Sequence, residues 1–318
     1  MDWKPYYLAE CRKSGARDTI ASWLTSDSVV EGVVRRRGVL SFPHTALSFA
    51  GPLQARVVRA LYEDRSVERV LALGVLHGGG LEIYRTALDA AAPPARRREA
   101  FGIVRGAFVS CENVAETPFG RVPTWNAPET SEVRTDSAGL LAAEFSLDTF
   151  QGVLRVAADA FGRRPLPVLS VYVGMTRDPV SRSFEAAEAV ADWIRGTADG
   201  STAVVATGDL VHYGTAYGGA WAAGNPLSYG ELEEVLRPDV ERVLATAFVE
   251  RNWEEAYRLS HERLGNDQRE MLAALSSYLG AGAPPRLLSF ELSDYAAILG
   301  ADPPCVVASA LAAYERAV

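Results

Sequence analysis

The chain has 318 residues, 48% hydrophobic and 23% charged, with a formal net charge of −8. That length can bury a sizeable core, and an acidic balance without a basic stripe excludes general nucleic-acid binding. No window reaches the ~18 apolar residues of a membrane span, and three cysteines without a CxxC pair fit free thiols, so a cytoplasmic protein is expected.

Residues 1–37 read as a helical lead-in, with Ala21-Ser22-Trp23-Leu24 at helical spacing, ahead of one α/β unit over 38–318. Val39-Leu40-Ser41-Phe42 predicts a short buried strand that stops at Pro43, leaving His44 at the head of a loop. A helix is predicted over Gln54–Tyr62, with Val57, Val58 and Leu61 on one face. Val70 to Leu76 is a second buried strand, ending in His77 and the flexible run Gly78-Gly79-Gly80. Strand, polar loop, helix, strand, polar loop is the βαβ rhythm of a doubly wound sheet.

Residues 80–135 are less regular, with a turn over Glu116–Gly120 and a loop over Pro123–Ser131. Arg35-Arg36-Arg37 and Arg96-Arg97-Arg98 read as solvated helix ends or loops. A helix-rich stretch is expected over Ala138–Phe161, a strand over Pro167–Gly174 and a helix over Phe184–Arg195. Ala203-Val204-Val205-Ala206 then forms a buried strand whose end turns polar, delivering Asp209, His212 and Tyr213 between Gly208 and Gly214. Tyr229–Leu279 is helical almost throughout, broken near Gly265-Asn266-Asp267, and two strands close the chain over Leu287–Leu292 and Cys305–Leu311. Alanine-rich helices and exposed edge strands leave room for a homodimer.

The chain has four histidines, and three of them, His44, His77 and His212, directly follow apolar strand segments. A lone histidine is ordinarily a satisfied structural residue. Three at the carboxyl ends of parallel strands converge on one edge of the sheet, which makes a metal site the favoured reading. Imidazole suits Fe(II), Cu(II) and Zn(II), and two histidines with one carboxylate leave positions for oxygen and substrate. A third imidazole, off the metal, can serve as general base.

Pro43-His44, Leu73-Gly74-Val75-Leu76-His77, Thr117-Pro118-Phe119-Gly120, Val168 to Gly174 and Gly208 to Gly214 follow one another at suitable gaps. As an ordered set they resemble the Memo family, whose members are similar to the LigB-type class III extradiol dioxygenases. The segment from Ser293-Asp294-Tyr295 to Ala310 is similar to the family's last strands, so the resemblance runs from about residue 38 onward. It implies a single-domain, three-layer α/β/α sandwich around a mixed, mostly parallel sheet, with a metal site at one sheet edge. By the family's motifs His44 and His77 would be metal ligands. His212 would be an acid/base group beside the metal, with Asp209 at the family's aspartate.

This chain departs from the pattern at two places. The family's late Cys-Gly motif has no cysteine here; Asn266 aligns with it and Asp267 stands beside it. Asp267 would restore a two-histidine, one-carboxylate set of the LigB kind, whereas the structural alternative is that Asn266 or Asp267 caps the following helix. The family's His-Ser-x-Glu motif reads Phe145-Ser146-Leu147-Asp148, which loses one imidazole. His261, on a helix, is a reserve ligand. The favoured expectation is a non-haem Fe(II) oxygenase acting with O2 on a small chelating, catechol-like or aminophenol-like substrate, with His212, Asp209 and Tyr213 or Tyr217 in catalytic roles. The alternatives are a Memo-like metal- or partner-binding protein without turnover, and a Zn(II)-dependent hydrolase.

Overall fold

The computed structural model describes residues 3–77, 81–110, 112–218, 220–224, 226–280 and 283–316. Gly78–Gly80 of the glycine run, and Cys111, lie outside the described residues. Four parallel strands stand side by side at the centre, in the order β1 (Val39–Phe42), β8 (Thr202–Thr207), β2 (Arg69–Val75) and β7 (Val168–Val173). Every residue in them except Arg69 is buried. This is what their unbroken apolar sequences demand, because crossover helices cover both faces of a parallel sheet.

Period-two alternation splits the strand side chains between two cores. Leu71, Leu73, Val204 and Ala206 face one side, under α7 (Glu185–Thr197), α8 (Tyr229–Phe248) and α9 (Leu272–Leu279). Val70, Ala72, Ala203 and Val205 face the other, under α2 (Ala16–Trp23), α3 (Ser28–Arg35), α4 (Leu47–Glu63) and α6 (Asp148–Ala160). The result is the three-layer α/β/α sandwich. Burying a single leucine such as Leu73 stabilises it by about 1.5–3 kcal/mol.

Antiparallel strands extend both flanks, which makes the sheet mixed. β11 (Val306–Tyr314) pairs with β1, β10 (Arg286–Asp294) pairs with β11, and the two-residue β9 (His212–Tyr213) also pairs with β11. On the other flank β3 (Ala107–Val109) runs antiparallel to β7, and β6 (Val133–Thr135) runs parallel to β3. β4 (Val114–Thr117) and β5 (Gly120–Pro123) form a separate hairpin around the expected turn.

Several boundaries differ from expectation for identifiable reasons. α4 begins at Leu47 rather than Gln54, because Glu10 on α1 (Trp3–Cys11) accepts from Leu47 N at 2.8 Å and so caps it from a distance. α6 begins only at Asp148, because Asp136 accepts from the backbone N–H of Ala138, Leu140 and Leu141 and holds the preceding segment in turns. Arg96–Arg98 lie within a helix, α5 (Pro94–Val104), that Pro94 opens. The lead-in helices pack onto α4 and α6 rather than standing apart. Cys11 and Cys305 are buried free thiols, and among the described residues no helix is long and apolar enough to cross a membrane.

Candidate metal centre

Strand order brings the three histidines together. β8 lies between β1 and β2, so His44, His77 and the Asp209–His212 segment all leave the sheet at the same edge. His44 Nε2 and His77 Nε2 are 3.0 Å apart. Asp267 Oδ2 lies 3.3 Å from the first and 3.9 Å from the second. Ligands each about 2.1 Å from a single ion stand ~3.0 Å apart in an octahedron and ~3.4 Å apart in a tetrahedron, so the two shorter separations suit a shared metal and the 3.9 Å one would have to close by about half an ångström.

Hydrogen bonds on the opposite ring atoms fix the tautomers such a site needs. The Thr207 hydroxyl donates to Phe42 O at 2.9 Å, so its oxygen is left to accept from His44 Nδ1–H at 3.3 Å. Glu144 accepts from His77 Nδ1–H at 3.0 Å and also from the backbone N–H of His77, Phe145 and Ser146, each at 2.8 Å. In the neutral rings both Nε2 lone pairs then face Asp267. Gly74 permits this packing: a Cβ there would come within 2.8 Å of Ser146 Oγ, which bonds Val75 N and O and so holds the Glu144 turn against β2.

Asp267 is delivered by a tight turn. Gly265, at φ 59°, adopts the left-handed conformation that ends the preceding helical turn, and its carbonyl accepts from His212 Nδ1–H at 2.9 Å. Asn266 Oδ1 accepts from Gln268 N at 2.7 Å, so Asn266 is the cap and Asp267 is free to face the histidines. Gln268 is fully buried. It bonds Ser41 Oγ on β1 and Gly208 O, and accepts from the Tyr314 hydroxyl on β11 at 3.1 Å, which pins the turn to the sheet. Asp267 Oδ2 is itself buried and accepts no hydrogen bond of full geometry, its nearest donors being His44 Nε2 at 3.3 Å and His77 Nε2 at 3.9 Å. A buried carboxylate oxygen left unpaired costs on the order of 1–3 kcal/mol or more, and a cation between it and the two imidazoles would remove that cost. The residues therefore fit a divalent ion.

Without a cation a proton on His77 takes its place, and an incoming ion would have to displace that proton. Burial alone would raise the Asp267 carboxyl, but His212, His44 and His77 hold it well below the usual range. Asp209 is raised, by burial and then by the Asp267 charge, although His44 and His212 pull the other way. Burial opposes a charge on His77, yet Glu144 and then Asp267 lift it to about 10, and Glu144 is correspondingly held at about 2. Asp209 accepts from His44 N at 3.2 Å, and its other oxygen lies 3.7 Å from His44 Nε2. Asp209, His212 and Asp267 form a second potential ligand group that overlaps the first at Asp267.

The cavity between these groups is about 80 Å³. His212 and Tyr217 share one wall, their rings edge-to-face at 4.8 Å. Phe145 stands where the resemblance implies an imidazole and stacks on His77 at 4.4 Å. Tyr213 is not brought into this cavity: its hydroxyl accepts from Leu227 N at 2.7 Å and its ring packs on Trp221. His261 stands apart from the other three, on a helical turn beside Tyr257. The sequence reading missed Glu144, whose role depends on a contact across 67 residues. It also missed Trp3 and Tyr7, by which α1 roofs the cavity; the aromatic spacing of Trp3, Tyr6 and Tyr7 was the signal available.

No protein-family model and no curated protein matches this chain, so its chemistry rests on this geometry.

Proposed function

We propose that the chain is a metal-dependent oxygenase of the LigB-like kind, with Fe(II) held by His44, His77 and Asp267. The observation that carries this reading is the buried, unpaired Asp267 Oδ2 facing two imidazoles whose outer nitrogens are already committed. Fe(II) on such a set supplies the chemistry that couples dioxygen to an organic substrate. His212, with Nδ1–H tied to Gly265 O, keeps Nε2 to take or give a proton at the cavity. Asp209 orients His44 through its backbone N–H and adds negative charge beside the ligands. Trp3, Tyr7 and Phe145 give the cavity an aromatic lining.

The test is the metal content of anaerobically purified protein beside a His44→Ala/His77→Ala variant. Near-stoichiometric iron, lost in the variant, with oxygen uptake on screening chelating substrates is the expected result. Failure to take up Fe(II), Cu(II) or Zn(II) overturns the metal site. Zinc without oxygen consumption points instead to metal-assisted hydrolysis.

A second reading is a Memo-like protein that binds metal or a partner without turnover. Two features favour it: the small chamber, and Phe145 in place of an imidazole. Tightly bound metal with no oxygen uptake across the screen would select it.

A further inference from the structure

We propose that the chain binds a small primary ammonium compound with an apolar body in a second cavity, with the ammonium held by Asp148 and Gln151. This cavity measures about 540 Å³, inside the ~300–1,000 Å³ range of small-molecule pockets. Glu144 forms part of its wall, but His44, His77 and Asp267 do not, so the inference does not depend on the metal. Two periodicities build its polar face. Asp148 and Gln151, three residues apart, share one face of α6, and Ser170 and Tyr172, two apart, share one face of β7. Leu8 on α1, Val114 on β4 and Leu141 supply the apolar wall.

Most polar groups around this space are already committed. Glu144 and Asp136 accept from backbone N–H groups, Glu116 pairs with Arg121 at 2.8 Å, and Glu112 is exposed at the rim. Gln151 is different. It is 6% exposed and donates from Nε2 to Ser170 Oγ at 2.9 Å, but among the described residues nothing donates to its Oε1. The Asp148 carboxylate, one helical turn earlier, likewise accepts no hydrogen bond among the described residues, so it does not cap its own helix. Burial raises its carboxyl to about 7, Glu144 and Glu112 add to this, and Lys4 opposes it. Lys4 on α1 is the one cation on the wall among the described residues, and it stands more than 4 Å from Asp148, so that carboxylate stays open. A primary ammonium has three N–H donors and no acceptor, which suits two neighbouring oxygens that lack donors. The carboxylates on the wall outnumber Lys4, so the cavity favours a cation and selects against a neutral or acidic analogue.

The test uses the full chain, metal-free, at pH 8 where Asp148 is ionised, with saturation-transfer NMR as the readout. The probes are phenethylamine, phenethyl alcohol and the trimethylated amine, which keeps the charge and loses every N–H donor. Phenethylamine is expected to bind at least about tenfold tighter than the alcohol within a range reaching about 10 mM, and several-fold tighter than its trimethylated form. Asp148→Asn should erase the preference for amine over alcohol, and Asp148→Glu should keep part of it. Leu141→Trp should block every probe by filling the cavity with Asp148 intact, which separates this site from loose attraction to an acidic surface. Equal binding of amine and alcohol, parity of the amine with its trimethylated form, or no binding of any probe overturns the proposal. So does an amine preference that persists in folded Asp148→Asn, or undiminished amine binding in folded Leu141→Trp.

Discussion

Replacing Glu144 with glutamine changes one atom and tests the whole arrangement. The carboxylate accepts four hydrogen bonds, three from backbone N–H groups and one from His77 Nδ1–H. Its fall from the ordinary 4.5 to about 2 is worth on the order of 3 kcal/mol, and Glu144 is buried, so solvent screening removes little of this. The His77 shift is larger because Asp267 adds to it; the Glu144 figure counts only its own partners. Because the shift is downward, the stabilisation is complete above pH 4.5 and is lost as pH falls toward 2. Glutamine keeps one acceptor but points an N–H₂ at a donor. In Glu144→Gln the amide therefore favours the His77 tautomer with its proton on Nε2, the atom that faces His44 and Asp267. The expected outcome is a loss of about 2–3 kcal/mol in stability at pH 7 and a 10–100-fold loss in metal affinity, about 1.4–2.7 kcal/mol. Urea denaturation reads the first, competition against a chelator the second, and imidazole ¹⁵N shifts the tautomer. A folded Glu144→Gln protein with wild-type metal affinity would refute the reasoning.

Other residues separate positioning from ligation. Gln268→Ala removes the core partner that Ser41 Oγ and the Tyr314 hydroxyl share, costing about 1–3 kcal/mol, and weakens metal binding although Gln268 offers no ligand; unchanged chelator competition would remove it from the support of Asp267. His212→Ala should keep its metal within about threefold while losing turnover, whereas lost metal would make His212 a ligand. Asp148, raised to about 7 by burial and then by Glu144 and Glu112, costs stability increasingly from pH 4 to pH 7; Asp148→Asn should gain about 1–3 kcal/mol at pH 8 and almost nothing at pH 4 by thermal melts. Tyr213→Phe should lose about 1 kcal/mol through the Leu227 bond and leave metal affinity untouched.

The parts of this site that were legible in the sequence are those that follow from strand physics. His44 and His77 each follow a buried parallel strand, and parallel strands place such ends together whatever their order, whereas His212 lies five residues past β8 on the short β9, antiparallel to β11. Asp267 was legible only through the resemblance, since its neighbour Asn266 is an equally good cap and nothing local says which of them turns inward. Glu144 was illegible because its partner is on another strand end, and the turn that presents it carries no periodic signal. Similarly, the early start of α4 depends on Glu10, the short strand β3 depends on β7 for pairing, and β6 depends on β3. Local pattern could not supply these.

The strand that carries His44 has no neighbour from its own half of the chain. β1 is held by β8 on one side and β11 on the other, and the Gln268–Ser41 bond closes a span of 227 residues. During synthesis the first imidazole therefore waits for almost the whole polypeptide before its carboxylate partner exists. Closing so long a loop is slow, and an ion cannot act as the seed around which the early chain condenses. On the proposed ligand set, metal capture would follow folding rather than template it, and the metal-free fold would have to stand by itself until then.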